Sequence, residues 1–338
     1  MIEAITTAQK EAFLNEYKGS LFEFLVASEL WQFCRHRPHD SFALTLAQPQ
    51  LDLLQLQEQW LRRLDSQLLR ALPIMAKQVS QRILDDLLTT ENNDIRDIRI
   101  IGENAAGKSD WNEGDILLYI GEEWRPISLK LCKSGAFVNT KSAGVKSFIA
   151  RYFAYYFDSR PLDVRQFSQS VEFHFTNMSH QLHQQQGLEF QGSWQAWMEL
   201  GLPTLPGQLA NPQRQIVLQF YHTIIGEMRT WLERAFAADA SQFIKALAPI
   251  LGHGRKDMQQ YICFYRHQGD LRYQVEQVLS FDHEWLSKQT ATVEFLPARS
   301  DISSFEIQLK DVLLQIRLKP MNTFTVPALK VNCSVRYG

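Results

Sequence analysis

The chain has 338 residues, 45% hydrophobic and 21% charged, which is the make-up of a folded globular protein and excludes a disordered or fibrous one. Lys and Arg total 35 against 37 for Asp and Glu, a formal net charge of −2, so a uniformly basic nucleic-acid binder is excluded while a locally basic surface is not. At about 100–200 residues per domain, the length predicts two domains or one large domain carrying insertions. No apolar run approaches the ~18–20 residues that cross a bilayer. The opening MIEAITTAQKEAF lacks the basic-then-apolar layout of a signal peptide. The expectation is a cytoplasmic protein with no membrane partner.

In chain order, residues Ala8 to Phe33 predict a long helix, with Phe13, Tyr17, Leu21, Leu25 and Phe22, Val26, Leu30, Phe33 at three- and four-residue spacing. A second helix is expected from Gln50 to Leu72, and Pro73 offers a break before a third that ends at Leu88. After Asn92 the period changes. IRDIRII reads as a strand, and GDILLYI and RPISLKLCK read as two strands joined by the hairpin Gly121-Glu122-Glu123-Trp124. Helices resume in AGVKSFIARYFAYYF, whose aromatics Tyr152, Phe153, Tyr155, Tyr156 and Phe157 suit packing. VEFHF reads as a short strand, while SWQAWMEL and QRQIVLQFYHTIIGEMRTWLERAF read as helices. The Pro- and Gly-rich stretch 201–212 is a loop, and from Tyr261 onward the chain is strand-like.

The order predicts an α+β fold. The expected division is residues 1–160 as a core with N-terminal helices, 161–260 as a helical region and 261–338 as a β-rich region. Cys34, Cys132, Cys263 and Cys333 are far apart and form no CxxC pair, which predicts free, partly buried thiols and no structural zinc. His180 and His183 lie in HQLHQQQ, which reads as polar surface or loop. Gly102 to Ser109 ends in the Gly-Lys-Ser of a phosphate loop. The residues after it, Asp110 to Gly114, are turn-like and lead to a strand where a nucleotide site needs a helix, so ATP binding is set aside.

The chemistry-bearing stretch is Asp115, at the start of one strand, with Ser128 and Lys130 on the next. Side chains alternate along a strand, so Ile127, Leu129 and Leu131 share one face while Ser128 and Lys130 share the other. A tight hairpin brings Asp115 beside Ser128 and Lys130, gathering a carboxylate, a hydroxyl and an ammonium. A lysine in the middle of an apolar strand needs such an acceptor.

A strand-opening Asp, a hairpin and a strand carrying an acidic-x-Lys element resemble the PD-(D/E)xK nuclease superfamily, which includes many type II restriction endonucleases. The resemblance covers about 20 residues. It implies a restriction-endonuclease-like mixed sheet core flanked by helices, with large helical insertions and a β-rich C-terminal region. It also implies Mg²⁺ held by Asp115, and Lys130 orienting or activating the attacking water. The chain departs from the pattern at Ser128, where the family has Asp or Glu, leaving Ser128 as a site-lining residue. Glu16, Gly19, Ser20, Glu23 and Ala27 form one helical stripe, from which Glu23 is expected to supply the missing carboxylate as a second metal ligand.

From Trp124 to Phe157 there is no Asp or Glu, yet Arg125, Lys130, Lys133, Lys141, Lys146 and Arg151 are present. Such a cluster suits a phosphate backbone, and the expected loop Lys133 to Ser142 offers Lys133, Asn139, Lys141 and Ser142, with Lys146 beyond, for contacts to double-stranded DNA. The tail from Val312 to Gly338 is likewise free of acids and carries Arg317, Lys319, Lys330 and Arg336, a second DNA-contacting surface or a guarded edge strand. The expectation is a Mg²⁺-dependent endodeoxyribonuclease of the type II restriction class, a homodimer on a symmetric site, with a cognate methyltransferase as a functional partner. Two alternatives stay open: a nuclease subunit of a multi-protein phage-defence system, and a catalytically dead DNA-binding protein.

Overall fold

The computed structural model describes residues 7–34, 41–87, 94–101, 114–269, 272–297 and 303–337. In chain order the elements are α1 (Thr7–Trp31), α2 (Gln48–Leu64), α3 (Ser66–Leu87), β1 (Ile95–Ile100), β2 (Ile116–Ile120), β3 (Glu123–Lys133), β4 (Val138–Gly144), α4 (Val145–Tyr152), α5 (Ala154–Phe157) and α6 (Pro161–Gln185). There follow α7 (Gln195–Glu199), α8 (Asn211–Ala238), α9 (Ala240–Ile250), β5 (Gln259–Gln268), β6 (Arg272–Phe281), α10 (His283–Gln289), β7 (Glu294–Phe295), β8 (Ser304–Gln308), β9 (Val312–Pro320) and β10 (Leu329–Tyr337). The fold is α+β. Among the described residues no helix is long and apolar enough to cross a membrane.

The chain forms two compact units, Met1–Ala136 with His253–Leu286 and Phe137–Gly252 with Ser287–Gly338. Neither is contiguous, so the division differs from the three consecutive blocks expected from composition. β5 and β6 return to the first unit because they complete its sheet, and β4 leaves for the second because its pairing partner is β10.

The first unit holds a five-stranded sheet in the order β1-β2-β3-β5-β6. It is mixed: β3 and β5 run parallel, and every other neighbour pair is antiparallel. Ile116, Leu118 and Ile120 of β2 and Ile127 and Leu129 of β3 enter one core with Phe22, Val26 and Leu30 of α1 and Leu72, Met75, Val79 and Ile83 of α3. Each such buried side chain contributes about 1.5–3 kcal/mol. Only Gly121 and Glu122 separate β2 from β3, a tighter hairpin than expected. Gly121 sits at φ +63°, where a side chain is strained.

The second unit holds an antiparallel sheet in the order β4-β10-β9-β8-β7, with helices α4 to α9. The aromatic run after Arg151 packs as expected, with Tyr152, Phe153, Tyr156 and Phe157 buried. Cys34, Cys263 and Cys333 are buried, and Cys132 is half-buried.

Several local expectations are corrected. The second helix ends at Asp65 rather than at Pro73, which lies inside α3. Asp65 leaves helical geometry, and its carboxylate accepts the Leu68 N–H at 2.9 Å and caps the helix that follows. VEFHF is part of α6, where burial of Phe167, Phe175, Met178 and Leu182 at helical spacing outweighs a short alternating stretch. HQLHQQQ is the last two turns of that helix. His180 is exposed there, but His183 is fully buried, with its Nδ1 at 2.8 Å from the Ser179 carbonyl. The stretch Gly102 to Ser109 has the full GxxxxGK[ST] spacing and lies outside the described residues.

Lys18 on α1 is 8% exposed, and its Nζ donates to the Tyr265 hydroxyl at 3.1 Å. Burial pushes its pKa below the ordinary 10.5. The unfolded chain therefore binds this proton more tightly, and Lys18 makes stability rise with pH between its lowered pKa and 10.5. Urea unfolding across the alkaline range should show wild type gaining stability relative to Lys18→Met as pH rises toward 10.5. A pH-independent difference between the two proteins would refute the assignment.

Candidate functional site

β2 and β3 are held in register by Ile116 opposite Ile127, and the ladder runs one residue further. Asp115 N–H donates to the Ile127 carbonyl at 2.8 Å, and the Asp115 carbonyl accepts from Ile101 N–H at 3.0 Å. Asp115 and Ser128 are thus cross-strand neighbours on one face. Gly114 lets the chain leave the sheet at this point, because a Cβ there would stand 3.1 Å from both Ile101 Cδ1 and Pro126 Cβ.

Where β2 ends, the Leu129 N–H has no further strand to bond. The Asp115 side chain takes that role, with Oδ2 accepting the Leu129 N–H at 2.5 Å. The same oxygen accepts Ser128 Oγ at 3.1 Å and Lys130 Nζ at 3.1 Å. The other oxygen, Oδ1, has no hydrogen-bond partner among the described residues. Ser128 is 3% exposed, while the Asp115 and Lys130 side chains are 21% and 27% exposed. The three sequence-predicted residues therefore converge, with the carboxylate and ammonium open to solvent and the hydroxyl beneath them.

Glu23 is not among the hydrogen-bond partners of Asp115, which are Ser128, Leu129 and Lys130. α1 packs on the apolar face, where Phe22, Val26 and Leu30 share the core with Ile127 and Leu129. Ser128 and Lys130 project from the opposite face, and Glu23 is not a partner of Asp115, Ser128 or Lys130. The acid expected to replace the one missing at Ser128 is absent from that hydrogen-bonded set.

The DNA-contact residues are also distributed differently. Lys133 closes β3 in the first unit, whereas Asn139, Lys141, Ser142 and Lys146 belong to the second. The expected loop is mostly β4, paired with β10 through Lys141 opposite Cys333 and Ser142 opposite Asn332. Only Ser134 to Ala136 turn, with Gly135 at φ +72°.

Among the described residues no group of three or more His, Cys, Asp or Glu could hold a metal ion. Mg²⁺ binds to one or two carboxylates with substrate phosphate and water completing its octahedron. Asp115 Oδ1 meets the lower limit of that requirement. The donors present fit a cation completed by substrate and solvent, not one caged by protein alone.

Lys18 and His183 are among the buried polar groups that sequence reading missed. Lys18 carries the signal of i, i+4 spacing to Phe22 on the apolar stripe. His183 follows Phe175, Met178 and Leu182 on the buried side of α6 and stands 4.8 Å from the Trp194 ring and 5.5 Å from the Trp197 ring.

The geometry assigns unequal structural weights to the two charged residues. The half-exposed ion pair contributes at most about 1 kcal/mol, whereas the Leu129 N–H loses its only acceptor if the carboxylate is removed. Asp115→Ala should destabilise the protein by about 1–3 kcal/mol and Lys130→Met by less than about 1 kcal/mol in urea unfolding. Equal losses would show that the ladder-capping bond does not outweigh the ion pair.

No family model, no curated protein and no solved structure matches this chain.

Proposed function

We propose that the protein is a metal-dependent endodeoxyribonuclease of the PD-(D/E)xK type, hydrolysing phosphodiester bonds in duplex DNA as a homodimer. The observation that carries this reading is the convergence of Asp115, Ser128 and Lys130 on one carboxylate oxygen at the open end of β2. Its support in the architecture is the mixed sheet of the first unit, with β3 at its centre and α1 and α3 packed on its apolar face.

Hydrolysis of a phosphodiester needs an oriented water and neutralisation of the charge that builds on phosphate and leaving oxygen. A bound Mg²⁺ supplies that neutralisation and a more acidic water. Asp115 would hold it through Oδ1, its Oδ2 being occupied by the protein. Lys130 has three N–H donors and gives one to Asp115, so two remain for the attacking water or a phosphate oxygen. Ser128 and the Leu129 N–H fix the carboxylate so that it does not rotate as charge develops.

One observation favours a non-catalytic reading on the same fold. Ser128 stands where the family has an acid, and among the described residues the hydrogen-bonded group holds one carboxylate, that of Asp115. Supercoiled plasmid incubated with Mg²⁺ or Mn²⁺ separates the two. The nuclease reading expects nicking or linearisation by wild type and a loss of about 10²-fold or more in Asp115→Asn and Lys130→Met. Cleavage undiminished in both variants means that the site lies elsewhere, and duplex binding without cleavage by wild type establishes the non-catalytic reading.

A further inference from the structure

The solvent-side face of the second sheet carries cations that have no carboxylate partner among the described residues. Along β10, Leu329, Val331, Cys333 and Val335 are buried in the core, as are Leu314, Ile316 and Leu318 of β9. The alternate residues face the other way. There Lys330 lies directly opposite Lys319, and Asn332 lies opposite Arg317 on one side and Ser142 on the other. Ser142 Oγ donates to Asn332 Oδ1 at 2.8 Å, which leaves the Asn332 amide nitrogen without a partner among the described residues.

Like charges directly opposite on neighbouring strands are destabilising. Other cations of the protein do find carboxylates, as Arg62 with Glu58, Arg82 with Asp86, Arg229 with Glu233 and Arg255 with Asp257. Arg317, Lys319 and Lys330 have no carboxylate partner among the described residues, and no acidic residue occurs from Val312 to Gly338. Burial, and then the charges of Arg317 and Lys330, hold the Lys319 ammonium below its ordinary pKa. An arrangement that costs stability in isolation is offset when a polyanion lies across it.

We propose that Arg317, Lys319 and Lys330, with Asn332 and Ser142 between them, form a surface that grips the phosphate backbone of duplex DNA. The choice of polyanion rests on the nuclease reading above. β9 and β10 each have nine residues, a ribbon of roughly 30 Å, close to the ~34 Å of one turn of B-DNA. The groups interleaved with the cations are an amide and a hydroxyl, which suit phosphate oxygens and groove edges rather than the apolar anchoring a lipid surface uses.

The test is fluorescence anisotropy of a labelled duplex titrated with the full chain in EDTA, which removes cleavage, across a range of NaCl concentrations. The triple variant Arg317→Ala, Lys319→Ala, Lys330→Ala should bind at least about 10-fold more weakly near 0.1 M salt. Its slope of log K against log salt should be shallower by about 2–3, since each phosphate contact contributes about 0.9. Lys77→Ala, an exposed cation on α3, serves as the control and should leave both quantities unchanged. Thermal unfolding of the triple variant should stay at or above wild type, because repulsion is removed. Equal affinity and slope in wild type and triple variant would overturn the surface, as would wild-type binding to phosphatidylserine vesicles without binding to duplex. Salt-dependent binding lost in the triple variant while wild type cuts nothing supports the surface and removes the catalytic reading. Cutting with binding unchanged by the triple substitution does the reverse.

Discussion

A main-chain N–H at the end of a β-ladder must find an acceptor, and the way this chain meets that requirement determines its site. β2 stops one pair short of Leu129, and the Asp115 side chain reaches over to take the bond that strand would have made. That anchors the carboxylate beside Ser128 and Lys130, so both donate to an oxygen already committed to the fold. One oxygen serves structure and the other faces outward. The arrangement is a compact way to present a fixed, partly exposed carboxylate next to an ammonium. It also means that an alanine at Asp115 removes both the partner of Lys130 and the acceptor that closes the strand end.

This juxtaposition was legible in the sequence because every step of it is local. The alternation that puts Ser128 and Lys130 on one face has a period of two, and Gly121 marks a turn short enough to fix Asp115 opposite Ser128. The stripe that α1 turns inward was less legible, for the opposite reason. A helix can offer any of several stripes to a sheet, and the choice depends on the whole core. Here Phe22, Val26 and Leu30 take the inward position, carrying Lys18 inside with them. The spacing of Lys18 to Phe22 is the sequence signal for its burial.

The errors in the middle of the chain share one physical origin, which is competition between local pattern and distant partners. Asn139 and Ser142 belong in a loop by composition, yet their strand forms because β10, some 190 residues later, supplies an edge. VEFHF alternates like a strand, but its phenylalanines sit within a 25-residue helix whose burial period prevails. Pro73 lies in the eighth position of α3, and the break expected there moved to Asp65, where a carboxylate can cap the next helix. Net charge hid a similar segregation. The total of −2 conceals a cation-rich sheet face on β9 and β10.

The deepest departure from the expected layout is the interleaving of the two units, and polymer physics accounts for it. Two parallel neighbours such as β3 and β5 need a crossover of at least a dozen residues, and here residues 134–258 intervene, about ten times that length. Loop closure grows only with the logarithm of length, so the extension costs about 2 kcal/mol beyond the short crossover. That cost is small because the intervening chain folds on its own core, with Phe148, Phe153, Trp197, Leu232 and Phe243 buried within the second unit. The sheet that positions Asp115 and Lys130 can therefore close around an insertion of domain size. The insertion in turn contributes β4 to a sheet whose other strands come from the end of the chain. A chain wired this way returns β9 and β10, and with them Arg317, Lys319 and Lys330, to the segment that follows the site in sequence. That is how one polypeptide assigns the Asp115–Lys130 pair to one sheet and the cations of β9 and β10 to another.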